Sequence, residues 1–255
     1  MRQAANGQEI IHVSGVRICA NLLVTIQQDP LEADCACTIA FGAVPPSGSS
    51  WYRLPGADHL PGGAYLRTDG MAAVIPHTNQ SAELRAVQIR TVAPFAAALQ
   101  GRITLHASCV GRHNRAHCFI GESGAGKSTF ARCLAAIGWQ QICDDLLPIR
   151  LVGETWVVRA LPSPLALEGI FFLERGPPDC DLQITEVLPR EALLAHLRNG
   201  FGELPDATVW QNQFEAYAAI ANGVRSYRLI VPHDLSRLSS YVRHWADWIE
   251  RLAFR

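Results

Sequence analysis

Apolar residues in the first third of this chain fall into short runs; beyond it they form strand-like runs alternating with helical stripes. Ile10 to Val13, Val16 to Thr25 and Cys37 to Val44 are separated by Gly and by Asp-Pro, the punctuation of strands and turns. Pro45 to Ser50 reads as a loop, residues 51 to 63 are rich in Pro and Gly, and Asp69-Gly70 predicts a short hairpin. Ser81 to Gln100 predicts the first helix, with Ser81 as N-cap, Leu84, Val87 and Val92 at helical spacing, and Gly101 as a stop. Pro94 should kink or split it.

Ile103 to Val110 predicts a strand, Gly111 to Arg115 a turn, and Ala116 to Ile120 a second strand. Phe130, Cys133, Leu134 and Ile137 then recur at helical spacing, and Gly138 ends that helix. Gln140 to Cys143 predicts a strand ending in Asp144-Asp145, and Leu146 to Arg150, Thr155 to Arg159 and Gly169 to Leu173 extend the sheet. Pro189 opens a helix that Gly200 closes. Asp206 caps another, with Trp210, Phe214, Tyr217 and Ala221 as its stripe, and Tyr227 to Val231 is the last strand. Asp234 caps a C-terminal helix whose Leu235, Leu238, Val242, Trp245, Ile249 and Leu252 share one face. The pattern predicts a small β-rich N-terminal domain over residues 1–98 and an α/β domain over 99–255.

Composition narrows the partners. The chain has 255 residues, is 49% hydrophobic and 18% charged, and carries a net charge of −1, which suits a compact soluble protein. That balance predicts no nucleic-acid or anionic-membrane surface. No stretch approaches the ~18 consecutive apolar residues of a membrane span. The N-terminus lacks the order of a signal peptide. The eight cysteines are scattered, several within apolar runs, so buried free thiols in a cytoplasmic protein are expected. The one close pair, Cys35 and Cys37, has no ligand-spaced partner for a metal.

The chemistry is concentrated at Cys118 to Asp145. Gly121-Glu-Ser-Gly-Ala-Gly-Lys-Ser128 satisfies G-x-x-x-x-G-K-[ST], between a predicted strand and a predicted helix. Glycines at 121, 124 and 126 permit a tight turn with successive N–H groups aimed at phosphate oxygens, and the helix N-terminus adds partial positive charge. The nucleotide-binding residues expected are Gly121, Ser123, Gly124, Ala125, Gly126, Lys127, Ser128 and Thr129. Lys127 reaches the β/γ-phosphates, and the Ser128 hydroxyl can ligate Mg²⁺. Lys127 is the only lysine among the 22 Lys and Arg residues, so a compact ammonium is kept where a guanidinium would not serve.

Asp144 lies 17 residues after Lys127, a spacing that one helix and one turn can use to return a strand beside the loop. Adjacent strand residues point opposite ways, so one acid suits a metal and the other an acceptor. His106 sits mid-strand, 21 residues before Lys127, where it can lie level with the phosphates.

Taken together, LHASCV, the following hairpin, GESGAGKSTFARCLAAIG and CDD resemble the kinase core of the HPr serine kinase/phosphorylase family over roughly 100–175. The resemblance implies a P-loop core of the HPr kinase and phosphoenolpyruvate carboxykinase type, using ATP and Mg²⁺. Under it Asp144 is the general base for a serine hydroxyl, Asp145 and Ser128 hold Mg²⁺, and His106 lies near the transferring phosphate. The chain departs from the family at Thr129, where the bifunctional enzymes carry Glu, and at Leu167-Glu168-Gly-Ile, which lacks the arginine of the second signature. Phosphorylase activity is therefore not implied, and Glu168 is left as a candidate metal or nucleotide contact. The N-terminal segment does not read as that family's N-terminal domain, and these differences resemble the shorter HPr-kinase-like proteins that act on lasso and other ribosomal precursor peptides. The expected acceptor is a serine on a peptide or small protein, with the N-terminal domain as docking surface; a homo-oligomer is compatible with the family. A small-molecule kinase on the same scaffold and a non-catalytic ATP-binding regulatory subunit are the alternatives. Arg175, Arg225 and Arg228 are candidate helpers.

Overall fold

The computed structural model describes residues 3–5, 8–13, 16–20, 23–27, 36–41, 47–54, 62–76, 82–101, 103–158, 160, 163–200 and 207–252. The sequence-predicted caps Ser81 and Asp206, and Cys35, lie outside these. The protein is mixed α/β, with two sheets and five helices among the described residues. Chain contacts divide it into two units, Met1–Thr104 with Phe201–Ala216, and Leu105–Gly200 with Tyr217–Arg255.

In the first unit, eight strands form one sheet. They are β1 (Gln3–Ala5), β2 (Gln8–Val13), β3 (Val16–Ala20), β4 (Leu23–Gln27), β5 (Ala36–Phe41), β6 (Trp51–Arg53), β7 (Tyr65–Arg67) and β8 (Ala72–Ile75). Their order is β1-β2-β3-β4-β5-β8-β7-β6, antiparallel throughout except for β5 beside β8. The Asp69-Gly70 turn joins β7 to β8, Gly70 taking φ +72°. Helix α1 (Ala82–Leu99) lies against β5. Pro94 does not split it. Val92 to Ala98 are all buried, and packing on that scale outweighs the lost backbone hydrogen bond.

The second unit is organised by three parallel strands, β10 (Arg115–Ile120), β13 (Leu165–Gly176) and β15 (Arg225–Pro232), in the order β10-β13-β15. Both β10 and the middle of β13 are buried almost continuously, as strands covered on two faces require. β9 (Ile103–Arg112) runs antiparallel to β10, and β14 (Gln183–Glu186) antiparallel to β15. β11 (Gln140–Val152) and β12 (Thr155–Val158) link β9 to β13, so five strands, β10, β9, β11, β12 and β13, close a circuit through the β10–β13 pairing. The β9–β10 hairpin turns on His113 and Asn114, both at positive φ, rather than on the whole of Gly111 to Arg115. Helices α2 (Lys127–Ala136), α3 (Pro189–Asn199), α4 (Ala207–Gly223) and α5 (Leu238–Leu252) complete the described elements. Of the stripe expected on α4, Tyr217 and Ala221 are buried, whereas Trp210 and Phe214 are exposed. Leu235 precedes α5 and is exposed; Asp234 bonds the N–H and hydroxyl of Ser236 in the turn before it.

Trp245 of α5 is the centre of the core. It is fully buried and meets the rings of His117, Phe119, Phe130, Trp139 and Phe171 at centroid separations of 5.1–6.0 Å, several edge to face. That cluster fixes α2 and α5 on the same face of the sheet as β10 and β13. Two histidines are enclosed in the unit. Burial, helped by Arg115, pushes His117 down to about 3, and burial pushes His196 down to about 4, where it stacks on Tyr217. In the unfolded chain both groups titrate near 6.5, so between 6.5 and these values the unfolded state binds more protons. Stability should therefore fall as pH is lowered from 7 towards 4, by an amount on the order of a few kcal/mol. Thermal melts across that range check it. His196→Phe should flatten part of the slope; an unchanged slope would exclude His196 as a source.

Candidate functional site

β10 ends at Ile120, the chain turns through Gly121 to Gly126, and α2 starts at Lys127. Gly121 lies so close to β13 that an added Cβ would come within 2.5 Å of the Leu173 carbonyl oxygen. Gly124 and Gly126 take φ +81° and +106°, and nothing lies within 4 Å of where their Cβ atoms would be. The loop is thus pinned at its first glycine and open above the other two. No side-chain cap occupies the N-terminus of α2 and no acid sits in its first turn, so its leading N–H groups are left for an anion. At its other end, Gly138 (φ +96°) and Trp139 return N–H bonds to Ala135 and Leu134, closing the helix by a Schellman motif.

Lys127 is buried, and its ammonium donates to the carbonyl oxygens of Gly121 (2.7 Å) and Glu122 (3.1 Å). Burial lowers its pKa, while the charges of Asp145 and Asp144 act in the opposite sense. Both acids are therefore within electrostatic reach of the lysine. Ser128 and Thr129 are half-buried on the first turn of α2, and Ser123 is exposed at the tip of the loop.

The acids come from the middle of β11, not from its end. Leu146, Leu147 and Ile149 are buried beyond them, which carries the strand to Val152. Nor does β11 lie directly beside β10: β9 intervenes. It is β9 that engages both acids. His106 Nε2 approaches Asp145 Oδ1 at 3.3 Å, and the Ser108 hydroxyl donates to Asp144 Oδ1 at 2.9 Å. Ser108 is almost fully buried and was not singled out by sequence. The available signal was its position two residues after His106, on the same face of a strand.

The remaining candidates separate. Glu168 lies four residues before Phe172 on β13, roughly 13 Å back from the loop by strand rise, and pairs with Arg115 at 3.2 Å. It takes no part at the loop. Arg225 lies at that same far end, whereas Arg175 and Arg228 line a cavity that also borders Gly121 to Ala125. Among the described residues no group of three or more His, Cys, Asp or Glu is arranged to hold a metal. Ser128, beside Lys127 on α2, and Asp145, whose charge reaches that lysine, are oxygen donors of the kind that suits Mg²⁺, an ion that completes its shell with water and phosphate oxygens. Cys37, Cys109, Cys118 and Cys143 are buried free thiols. No helix of the described residues is long and apolar enough to cross a membrane.

No family model matches the chain. No curated protein matches it either. Among solved structures it is similar to the HPr(Ser) kinase/phosphatase from Coxiella burnetii, at 13% identity over 58% of this chain and 98% of that chain, with a TM-score of 0.33. A likeness that distant leaves function to the geometry of the site itself.

The pinning of Gly121 gives a direct test. Gly121→Ala should force either the loop or β13 to move, lowering stability by about 1–3 kcal/mol in thermal melts. A melting temperature unchanged from wild type would show that Gly121 is not held against Leu173.

Proposed function

We propose that this chain is an ATP-dependent kinase that transfers the γ-phosphoryl group to a serine hydroxyl of a peptide or small protein. The observation that carries the reading is the convergence on one glycine loop of a buried lysine and two acids, each acid held by its own partner on β9. The donor's phosphates would lie over Gly124 and Gly126 against the N-terminal amides of α2, with Lys127 leaving its loop carbonyls to meet them. Mg²⁺, held by the Ser128 hydroxyl and Asp145, would neutralise charge on the phosphate oxygens.

Asp144 is the group suited to the acceptor. The Ser108 hydroxyl occupies one of its carboxylate oxygens and leaves the other to take a hydrogen bond from the acceptor serine. As the serine oxygen bonds to the γ-phosphorus, the bond from that phosphorus to the bridging oxygen of ADP breaks, and the serine proton passes to Asp144. His106, beside Asp145, would face the phosphate in transit. The acceptor class, a ribosomal precursor peptide or small protein, rests on the resemblance of the sequence motifs. The described sheet of the first unit is the candidate surface for docking it.

Incubation of the protein with ATP, Mg²⁺ and the peptides encoded beside its gene, read by mass spectrometry, should add one phosphate to a serine. Lys127→Ala should abolish that product. Asp144→Asn should keep ATP affinity within about twofold and cut transfer by about 10²–10⁴; full transfer by this variant would refute the assigned base.

A further inference from the structure

One row of residues across the three parallel strands has no part in the kinase reading. His117 of β10 pairs with Gly169 of β13, and Gly169 pairs with Arg225 of β15. Paired strand residues share a face, and here it is the face of Trp245, which meets the rings of His117 and Phe171. His117 lies roughly 10 Å below Ile120 by strand rise, so the row is set back from the glycine loop. A cavity of about 370 Å³ opens there under the last turn of α5, lined by the three residues of the row with Tyr227, Ile249 and Leu252. Its size falls within the roughly 300–1,000 Å³ of small-molecule sites. No residue of the glycine loop lines it, nor does either aspartate of β11.

The middle of the row has no side chain, and the imidazole leans into that space. A Cβ on Gly169 would come within 2.9 Å of His117 Nδ1 and 3.0 Å of the Phe171 ring. His117 is 4% exposed, and its Nδ1 has no hydrogen-bond partner among the described residues. An orphaned buried nitrogen is costly, and the cavity beside it is where a partner can enter. Burial keeps the imidazole neutral at pH 7, so it offers one N–H and one lone pair. A hydroxyl, which both donates and accepts, can meet Nδ1 in either tautomer.

The charged groups lining this cavity are Arg115, Arg225 and one acid, Glu168. Glu168 holds Arg115 Nε at 3.2 Å. Arg225 is exposed, bonds the Tyr227 hydroxyl, and pairs with no carboxylate among the described residues. The lining thus carries one positive charge without a carboxylate, at the opposite end of the row from the orphaned nitrogen.

We propose that this cavity is a second ligand site, for a small monocarboxylate that carries a hydroxyl. The carboxylate meets the Arg225 guanidinium, whose fork matches it. The hydroxyl meets His117 Nδ1, and the carbon skeleton lies against Ile249 and Leu252. None of these residues serves the phosphoryl transfer, so the site stands or falls apart from the kinase reading.

Calorimetry on the full chain tests it with para-hydroxybenzoate and β-hydroxybutyrate, an aromatic and an aliphatic member of the class, and with benzoate and butyrate, which lack the hydroxyl. At least one hydroxy acid should bind with a Kd below about 10 mM, about tenfold tighter than its counterpart without the hydroxyl. His117→Phe keeps an aromatic ring in the core and should erase that preference. Arg225→Ala, at an exposed position, should weaken the hydroxy acid about tenfold. ADP with Mg²⁺ should bind both variants within about twofold of wild type, and melting curves check that both fold. A wild-type chain that binds neither hydroxy acid overturns the proposal, as does a preference that survives His117→Phe. If His117→Phe does not fold, Arg225→Ala decides alone, and unchanged affinity there overturns the site. Inorganic phosphate binding as tightly as the hydroxy acids, and lost with Arg225, overturns it too, since the cavity would then read a bare anion.

Discussion

The site depends on one close approach, that of Gly121 to the Leu173 carbonyl. Because no side chain separates them, the chain leaves β10 hard against β13 and must turn at once. The turn needs positive φ at Gly124 and Gly126, and only then does α2 begin, with uncapped amides directed at the space the glycines leave open. On the other face, Trp245 and the rings around it hold α2 and β10 in register. The aromatic core therefore sets where the loop opens and how far it stands from β11.

Within that frame the lysine is the high-energy element. Its ammonium is buried, and burial disfavours its charge. Two loop carbonyls satisfy it, and two carboxylates nearby favour the charged form. An arginine could not fold back onto carbonyls five and six residues earlier in so tight a turn, because its guanidinium is planar and broad. The singular lysine of this chain is explained by that space as much as by its charge.

Much of this was legible in sequence for identifiable reasons. A strand, a glycine turn and a helix each leave a local signature, and Gly138 announced the end of α2 because only a positive φ closes a Schellman motif cheaply. The hairpin before the loop was harder: Gly111 drew the turn to itself, while the actual turn falls on His113 and Asn114, two of the residue types that tolerate left-handed backbone. The acid pair misled for a related reason. Two aspartates read as the end of a strand, yet β11 runs through them because its buried Leu146, Leu147 and Ile149 pay the cost of the sheet on the far side. Ser108 stands out in sequence only by its spacing of two from His106, and its bond to Asp144 is visible only where β9 and β11 come together. Glu168 was misplaced because a motif gives spacing along the chain and says nothing of which end of a parallel strand a residue occupies.

The two acids are partnered from β9, the strand that lies between β10 and β11. Adjacent carboxylates on one strand repel each other, and the charges of both reach the lysine. A strand inserted between them and the loop supplies one hydroxyl and one imidazole at alternate positions, so each carboxylate has its own partner and its own orientation.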